Sequence, residues 1–234
     1  MEYDVIIVGS GVIGAAMGFE LSKAGFKTLN IDKNHDAGTG STSASCAIIR
    51  VHYSEYLGVK DDQGMAKFVE CGCLVMEAEQ NGFLEKHKTI CSSLNVPFDE
   101  WNSQVIKEKL PFYNQDSFAP VKRIDQVGFG EPNGSHINSG VFFPTGGYVT
   151  DPQLSAHNLR FAAEANGGKF KFNSKIIDIT KKNGKVTGVS LSNGEVINSS
   201  IVINVAGPAS STINKMAGVE AEMNIKTRPL RQEV

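Results

Sequence analysis

The first 32 residues constrain the fold of this chain more than any other stretch of its sequence. An almost wholly apolar run, residues 3–8 (YDVIIV), is followed directly by the glycine-rich turn 9–14 (GSGVIG). Residues 15–24 then show the small and apolar side chains of a helix that packs closely on a sheet, and a second strand pattern covers 27–31. This order of strand, turn, helix and strand predicts a βαβ unit whose two strands are parallel and buried.

Three glycines and one acid give this unit the pattern of a dinucleotide-binding turn. Gly9 permits the tight turn, Gly11 lets the backbone approach a pyrophosphate, and Gly14 lets the helix pack against the strand. Asp32 stands 21 residues beyond Gly11, at the end of the second strand, where it would accept hydrogen bonds from ribose hydroxyls. An acid at this position disfavours a 2′-phosphate and therefore NADP, whereas FAD and NAD remain open.

Composition excludes several other classes of protein. With 41% hydrophobic residues and a formal charge of −2, the chain of 234 residues does not have the character of a disordered protein. It lacks the basic excess that nucleic acids require, so no nucleic-acid partner is predicted. The longest apolar runs reach about five residues, far below the ~20 of a membrane span. The length suits one large domain or two small ones.

The four cysteines indicate a reducing environment. Cys71 and Cys73 are too close in sequence for ordinary disulfide geometry, and no Cys/His pair joins Cys46 or Cys91 in a zinc-site pattern. No metal site is therefore predicted. Residues 1–4 are acidic and run straight into the first strand, which is unlike a signal peptide. We expect free thiols and a cytoplasmic protein.

The rest of the chain carries further helix and strand patterns. Helices are predicted at 64–81, 103–110, 151–166 and from 209 to about 217. Strands are predicted near 89–94 and at 140–143, 170–179, 185–191, 195–197 and 200–205. Asp151 and Pro152 fit the N-cap and first position of one helix, and Asn193-Gly194 fits a hairpin turn. No repeat or linker divides the chain, so one interleaved unit is expected.

The second feature that bears on the cofactor is the small-residue loop 38–45 (GTGSTSAS) after Asp32. Its hydroxyl and backbone groups can donate hydrogen bonds to a pyrophosphate or to the edge of a flavin ring. A polar loop without a ligand is the equally open alternative. Cys46 follows this loop, and we expect it to be a small buried thiol.

With these motifs the sequence resembles the D-amino-acid oxidase superfamily of FAD enzymes. It is most similar to the branch that contains sarcosine oxidase, dimethylglycine dehydrogenase and glycine oxidase. Four segments carry the resemblance in order, namely the fingerprint 3–32, residues 40–53 (GSTSASCAIIRVHY), residues 139–152, and residues 202–208 (VINVAGP) with 216–219 and 228–232. The resemblance covers the whole chain, and the second and fourth segments are the more specific ones.

This resemblance implies an α/β fold with a Rossmann-like FAD-binding domain of the two-dinucleotide-binding-domain flavoprotein type. An α+β substrate domain, here incomplete, would be interleaved with it. The FAD-binding domain is expected at 1–84 and 145–219, and the partial substrate domain at 85–144 and 220–234. Members of the superfamily are longer, so the chain resembles the N-terminal portion of a larger flavoenzyme or one chain of a split one. A complementary C-terminal segment or subunit would then be a partner.

The resemblance also implies which residues hold FAD. The expected contacts are Gly9, Gly11, Val12, Ile13, Gly14, Asp32, Lys33, Gly40, Ser41, Thr42, Ser43, Ile176, Ala206 and Gly207. The backbone of Ile176 would reach the adenine. Arg50 falls where this branch keeps an arginine near the active site, and it would stabilise negative charge on reduced flavin or pair with a substrate carboxylate. A surface ion pair is the alternative role for Arg50.

Two positions depart from the branch. Ala44 stands where dimethylglycine dehydrogenases carry the histidine that links the flavin, so no covalent attachment is expected there. Ala47 stands where monomeric sarcosine oxidases carry a basic residue, which argues against a sarcosine-like flavin environment.

The implied activity is oxidation of a carbon–nitrogen bond in a small amine or N-methyl amino acid. A hydride would pass from the substrate carbon to the flavin, and water would hydrolyse the resulting imine. Oxygen or another electron acceptor would reoxidise the flavin. The alternatives are an FAD-dependent dehydrogenase or oxidase of 2-hydroxy acids or glycerol 3-phosphate, and an FAD-binding fragment or subunit with no catalysis of its own.

Overall fold

The structure is a computed structural model that describes residues 2–49, 63–77, 84–120 and 122–219. Arg50 and residues 228–232, which contribute to the sequence predictions, lie outside the described residues. The chain divides into two compact units. One contains Met1–Ala47, Tyr53–Phe68 and Val149–Val234, and the other contains Ile48–His52 and Val69–Tyr148. The predicted division at 84/85 and 144/145 stays a prediction.

The described residues form the following helices and strands. The helices are α1 (Val12–Lys23), α2 (Leu84–Ser93), α3 (Ser103–Lys109), α4 (Pro152–Ala165) and α5 (Ser210–Ala217). The strands up to the middle of the chain are β1 (Val5–Val8), β2 (Thr28–Ile31), β3 (Ile48–Ile49), β4 (Phe68–Glu70), β5 (Cys73–Met76), β6 (Asp99–Asn102) and β7 (Ser139–Phe143). The later strands are β8 (Gly147–Val149), β9 (Lys169–Lys171), β10 (Ile176–Lys182), β11 (Lys185–Leu191), β12 (Val196–Asn198) and β13 (Ile201–Asn204).

A parallel sheet in the order β13-β1-β2-β9 lies at the centre of the first unit. All four residues of β1 are buried, as the apolar run predicted, because both faces of the sheet are covered. On one face Ile6 and Leu29 share a core with β10, β11, β12 and α5. Helix α1 packs against α4 in a second cluster that includes Phe19 and Leu159. The predicted parallel βαβ unit is confirmed.

The predicted strand 170–179 is wrong in one respect, because the chain turns within it. Residues 169–171 form β9 in the parallel sheet, whereas β10 starts at Ile176 and pairs antiparallel with β11. Asn173 adopts a φ of 51° between them, and its backbone N–H donates to Asn34 O at 2.8 Å. This left-handed residue bends the chain, a conformation that asparagine tolerates well. The predicted hairpin of β11 and β12 is confirmed.

Helix α4 begins as its sequence predicted. The Asp151 carboxylate accepts a hydrogen bond from the Leu154 N–H at 2.8 Å, and Pro152 is the first helical residue. From the middle of the helix the buried Asn158 side chain accepts from Met65 N at 2.9 Å and donates to Ala66 O at 3.1 Å. The side-chain amide of Asn158 therefore holds the segment around Met65 against α4, with one donor and one acceptor as a backbone peptide group would have.

The second unit contains a sheet in the order β5-β7-β6 and the helices α2 and α3. Trp101 stacks on Phe142 across this sheet with ring centroids 4.2 Å apart. Lys88 of α2 donates to Glu100 of β6 at 2.8 Å. The hydrogen bonds to Glu100 and Glu85 raise the pKa of Lys88 above its ordinary value. A further short sheet has the order β3-β8-β4.

Two predictions for residues 64–94 are wrong. The helix predicted over 64–81 is replaced, within its described part, by β4 and β5. Gly72 sits between them with a φ of 80°, and the Phe142 ring occupies the space that a side chain at Gly72 would need. Such a turn is incompatible with a continuous helix. Conversely, the strand predicted near 89–94 belongs to α2. The helices of the described segments fall short of the length and apolar character that crossing a membrane demands.

Candidate functional site

The glycine-rich turn is compact because two of its glycines lack side chains. Gly9 has a φ of 112°, and a Cβ there would lie 2.6 Å from the carbonyl oxygen of Val205. A Cβ on Gly14 would lie only 2.1 Å from the carbonyl oxygen of Gly9. These contacts fold the turn tightly between the end of β1 and the start of α1, as the spacing of the glycines predicted.

Asp32 organises the turn from the carboxyl end of β2. One carboxylate oxygen accepts from the Ser10 N–H at 2.8 Å, and the other accepts from the Asn34 N–H at 2.9 Å. Each carboxylate oxygen has a second lone pair, so the partly exposed side chain can accept further hydrogen bonds. Asp32 thus fixes the turn, which the sequence did not predict. Its contact with a ribose stays a prediction.

The N-terminus of α1 presents unpaired donors. Gly11 is the N-cap residue and offers no side-chain cap, and the hydroxyl of Thr42 accepts from the Val12 N–H at 3.0 Å. The N–H groups of Gly11, Ile13 and Gly14 find no acceptor among the described residues. A helix N-terminus with free N–H groups favours an anion such as a pyrophosphate. The residues present therefore fit a bound dinucleotide.

The loop 38–45 meets this N-terminus through Thr42. Its own hydrogen bonds shape the loop, since Gly38 N donates to Ser10 O at 2.9 Å and the Ser43 hydroxyl donates to Gly40 O at 2.9 Å. The predicted contacts Gly40, Ser41 and Ser43 are exposed here. Their roles as ligands of FAD stay predictions. Cys46 is exposed rather than buried, so the expected buried thiol is wrong.

The remaining predicted contacts are distributed over three elements. Ala206 follows β13 and lies beside the turn, since a Cβ on Gly9 would be 3.3 Å from its Cα. Gly207 starts a short 3-10 helix, and Lys33 is exposed next to Asp32. Carboxyl ends of neighbouring parallel strands share one edge of a sheet, so Gly9, Asp32 and Ala206 are brought together there. Ile176 begins β10 with its side chain in the core. Its contact with adenine stays a prediction.

Sequence reasoning missed an ion pair that joins Asp36, which lies two residues before the loop 38–45, to α4. Arg160 donates to Asp36 at 2.7 Å and to Glu164 at 3.1 Å, and its guanidinium lies 4.8 Å from the centre of the Phe172 ring. Asp36 also accepts from the Ala37 N–H at 2.8 Å. The pair joins residues 124 positions apart, so no local signal in the sequence could have revealed it.

A double-mutant cycle on Asp36→Asn and Arg160→Met is expected to show a coupling energy of about 1 kcal/mol, because the pair is partly shielded and hydrogen-bonded. Urea unfolding of the four proteins measures it. The control pair is Lys171 and Glu195, whose atoms are 3.0 Å apart on a more exposed surface. We expect a smaller coupling there, because water screens the more exposed pair. Equal coupling in both pairs would show that shielding does not strengthen the pair of Asp36 and Arg160.

Comparison with known protein families gives a match over nearly the whole chain. The model of the family described as FAD dependent oxidoreductase (DAO) matches residues 4–234. A glycerol 3-phosphate dehydrogenase from Caloramator mitchellensis is 25% identical over 232 residues, which is 92% of this chain and 44% of that protein. An N-methyl-L-tryptophan oxidase from Yersinia pestis is 28% identical over 130 residues, which is 48% of this chain and 34% of that protein.

Solved structures share the fold. The L-proline dehydrogenase from P. horikoshii superposes with a TM-score of 0.72 at 20% identity, covering 94% of this chain and 57% of that one. The L-alpha-glycerophosphate oxidase from Mycoplasma pneumoniae with FAD bound gives a TM-score of 0.67 at 19% identity, covering 93% and 57%. The chain thus spans about a third to three fifths of the length of these proteins.

Proposed function

Since the chain belongs to the DAO family of FAD dependent oxidoreductases, we propose that it forms the FAD-binding part of an enzyme that oxidises the carbon–nitrogen bond of a small amine or (N-methyl) amino acid. The observation that carries FAD binding is the N-terminus of α1, where three N–H groups have no acceptor among the described residues. The Asp32 carboxylate lies at the adjacent end of β2.

The residues of this chain would bind and orient the cofactor. The N–H groups of Gly11, Ile13 and Gly14 would hold the pyrophosphate, helped by the partial positive charge of the helix end. Asp32 would accept from the ribose hydroxyls while it keeps its bonds to the backbone. When bound, FAD supplies the acceptor for a hydride from the carbon next to the substrate nitrogen. Arg50 is proposed to pair with negative charge on the substrate or the reduced cofactor.

Support for a carbon–nitrogen bond as the site of oxidation comes from the names of the relatives. An N-methyl-L-tryptophan oxidase and an L-proline dehydrogenase are both amine or amino-acid oxidoreductases by name. Electrons would leave to oxygen or another acceptor. We also propose a cytoplasmic location, which the free thiols of Cys46, Cys71 and Cys91 support. A complementary C-terminal segment or subunit is proposed because the chain spans only part of its relatives' length.

A second candidate has an observation in its favour. The glycerol 3-phosphate dehydrogenase aligns with 92% of this chain, and its substrate is an alcohol by name. In that case the oxidised bond is carbon–oxygen, in glycerol 3-phosphate or a 2-hydroxy acid. An assay with an artificial electron acceptor separates the candidates, using N-methyl amino acids in one panel and hydroxy compounds in the other. Activity confined to the hydroxy compounds would overturn the amine proposal.

The absorption spectrum of the purified chain tests cofactor binding directly. We expect bands at about 375 and 450 nm from bound flavin, either as purified or after addition of FAD and removal of the excess. Bleaching of the longer-wavelength band by an amine, with oxygen and other acceptors excluded, would show that this chain passes electrons from the amine to flavin. FAD binding without bleaching would support the remaining alternative, in which the chain is an FAD-binding fragment or subunit with no catalysis of its own. A colourless protein that fails to take up FAD would contradict the proposal.

A further inference from the structure

One polar side chain is buried in the middle of the parallel sheet. Asn30 lies in β2 between Leu29 and Ile31 and is 0% exposed. Strands that are buried on both faces of a parallel sheet normally carry apolar residues. A buried amide is unfavourable unless it finds hydrogen-bond partners. Asn30 therefore needs an explanation that the packing of the sheet does not supply.

The partners of Asn30 are two carbonyl groups of the glycine-rich turn. Its amide nitrogen donates to Gly14 O at 2.8 Å and approaches Gly9 O at 3.4 Å. These are the first and third glycines of the fingerprint. The amide fits because Gly18 of α1 has no side chain, since a Cβ there would lie 2.5 Å from the Asn30 Oδ1. That oxygen has no hydrogen-bond partner among the described residues, so the donor side of the amide provides the interaction.

Asn30 and Asp32 together hold one peptide group at both ends. The amide nitrogen of Asn30 lies 3.4 Å from the carbonyl oxygen of the Gly9–Ser10 peptide. The carboxylate of Asp32 accepts from the N–H of the same peptide at 2.8 Å. Residues two apart in a strand share a face, so β2 directs both side chains toward the turn. The carbonyl of Gly9 therefore faces the Asn30 amide, whereas the direction of the Gly14 carbonyl is set by α1 itself.

We propose that Asn30 is a positioning residue that fixes the glycine-rich turn in its anion-binding geometry. Without the amide donor, the Gly9 carbonyl oxygen loses its side-chain partner in the interior, and the Gly9–Ser10 peptide, then held only at its N–H by Asp32, can rotate. Rotation would bring a carbonyl oxygen, with its partial negative charge, toward the pyrophosphate. The inference rests on the proposed function in so far as the anion is the pyrophosphate of FAD.

The test compares Asn30→Leu and Asn30→Asp with the control Thr28→Val. Thr28 lies in the same strand and is 1% exposed, and its hydroxyl has no partner in the described part of the chain, so its removal leaves the turn intact. Leucine removes the donor and keeps an apolar strand. Aspartate keeps the shape of the side chain, and it can donate to the carbonyls only when it is protonated.

Two measurements are made on each protein, amide hydrogen exchange without cofactor and the dissociation constant for FAD. In Asn30→Leu we expect exchange to quicken about tenfold or more at the hydrogen-bonded amides of the turn, with the rest of the sheet unchanged. These amides are those of Gly9, Ser10, Val12 and Ala15. The FAD dissociation constant should rise about tenfold or more, whereas Thr28→Val should stay within about twofold of wild type. In Asn30→Asp, FAD affinity should recover as the pH falls, because protonation restores a donor.

Each other outcome overturns the inference. Unchanged exchange in the turn would show that Asn30 does not position it. Exchange that quickens evenly over β1, β2 and α1, or failure of both variants to fold, would show that Asn30 supports the core as a whole. If wild-type protein takes up no FAD, the proposed function fails, and the exchange comparison still decides whether Asn30 fixes the turn.

Discussion

Gly14→Ala is expected to remove FAD binding almost completely. The new Cβ would lie 2.1 Å from the carbonyl oxygen of Gly9, which is backbone and cannot move independently of the turn. Helix α1 would have to shift away from β1, and the free N–H groups at its N-terminus would shift with it. We expect the FAD dissociation constant to rise about 100-fold or more, and the free energy of unfolding to fall by about 3 kcal/mol, the cost of overpacking a dense site.

The measurements are equilibrium dialysis with FAD and urea unfolding of the protein without cofactor. The matched control is Gly194→Ala in the hairpin turn, where φ is 87° and a Cβ meets no atom within 4 Å. This control carries backbone strain of about 1 kcal/mol but no clash. It should bind FAD like the wild type. Normal FAD affinity in Gly14→Ala would show that the close approach of helix and strand is not needed for binding.

Asp32→Ala is expected to have the second largest effect. The Ser10 and Asn34 N–H groups would each lose a charged acceptor, and the ribose hydroxyls of FAD would lose theirs. Hydrogen bonds to a charged group contribute about 1.5–3 kcal/mol, and partial exposure of Asp32 lets water replace part of this. We expect the FAD dissociation constant to rise about 100-fold and stability to fall by about 2 kcal/mol.

Comparison with Asp32→Asn separates the two roles of the side chain. The amide oxygen can replace one carboxylate oxygen, so this variant should lose less stability and FAD affinity than Asp32→Ala. Flavin fluorescence during titration with FAD measures affinity, and thermal unfolding measures stability. The control is Asp178→Ala, an exposed carboxylate on β10. A loss in Asp32→Ala that is no larger than in Asp178→Ala would contradict both roles.

Much of the first unit could be predicted because its signals are local. A short β-branched run, three spaced glycines and an acid define β1, α1 and β2, and all three elements form, with α1 beginning at Val12 and not at the predicted residue 15. Two neighbouring residues likewise mark the start of α4, since Asp151 is its N-cap and Pro152 its first residue. These features are properties of neighbouring residues in the chain, so a single sequence contains them.

Predictions failed where tertiary contacts decide between helix and strand. Residues 68–76 contain apolar side chains that suit either a helix or strands. Pairing of Cys73–Met76 with β7, and the Phe142 ring against Gly72, decide for strands. The misplaced strand at 170–179 has the same origin, because Asn173 joins two different sheets and no periodicity marks that change.

By itself the sequence determined the cofactor class and the family, because the fingerprint and the segments around it are specific in residue type and spacing. Only the tertiary structure decided how the site is held together. The donor of Asn30, the second role of Asp32, the cap from Thr42 and the pair of Asp36 with Arg160 all join residues that are distant in sequence. Hydrogen bonds depend on distance and direction in space, and these are fixed when the chain has folded.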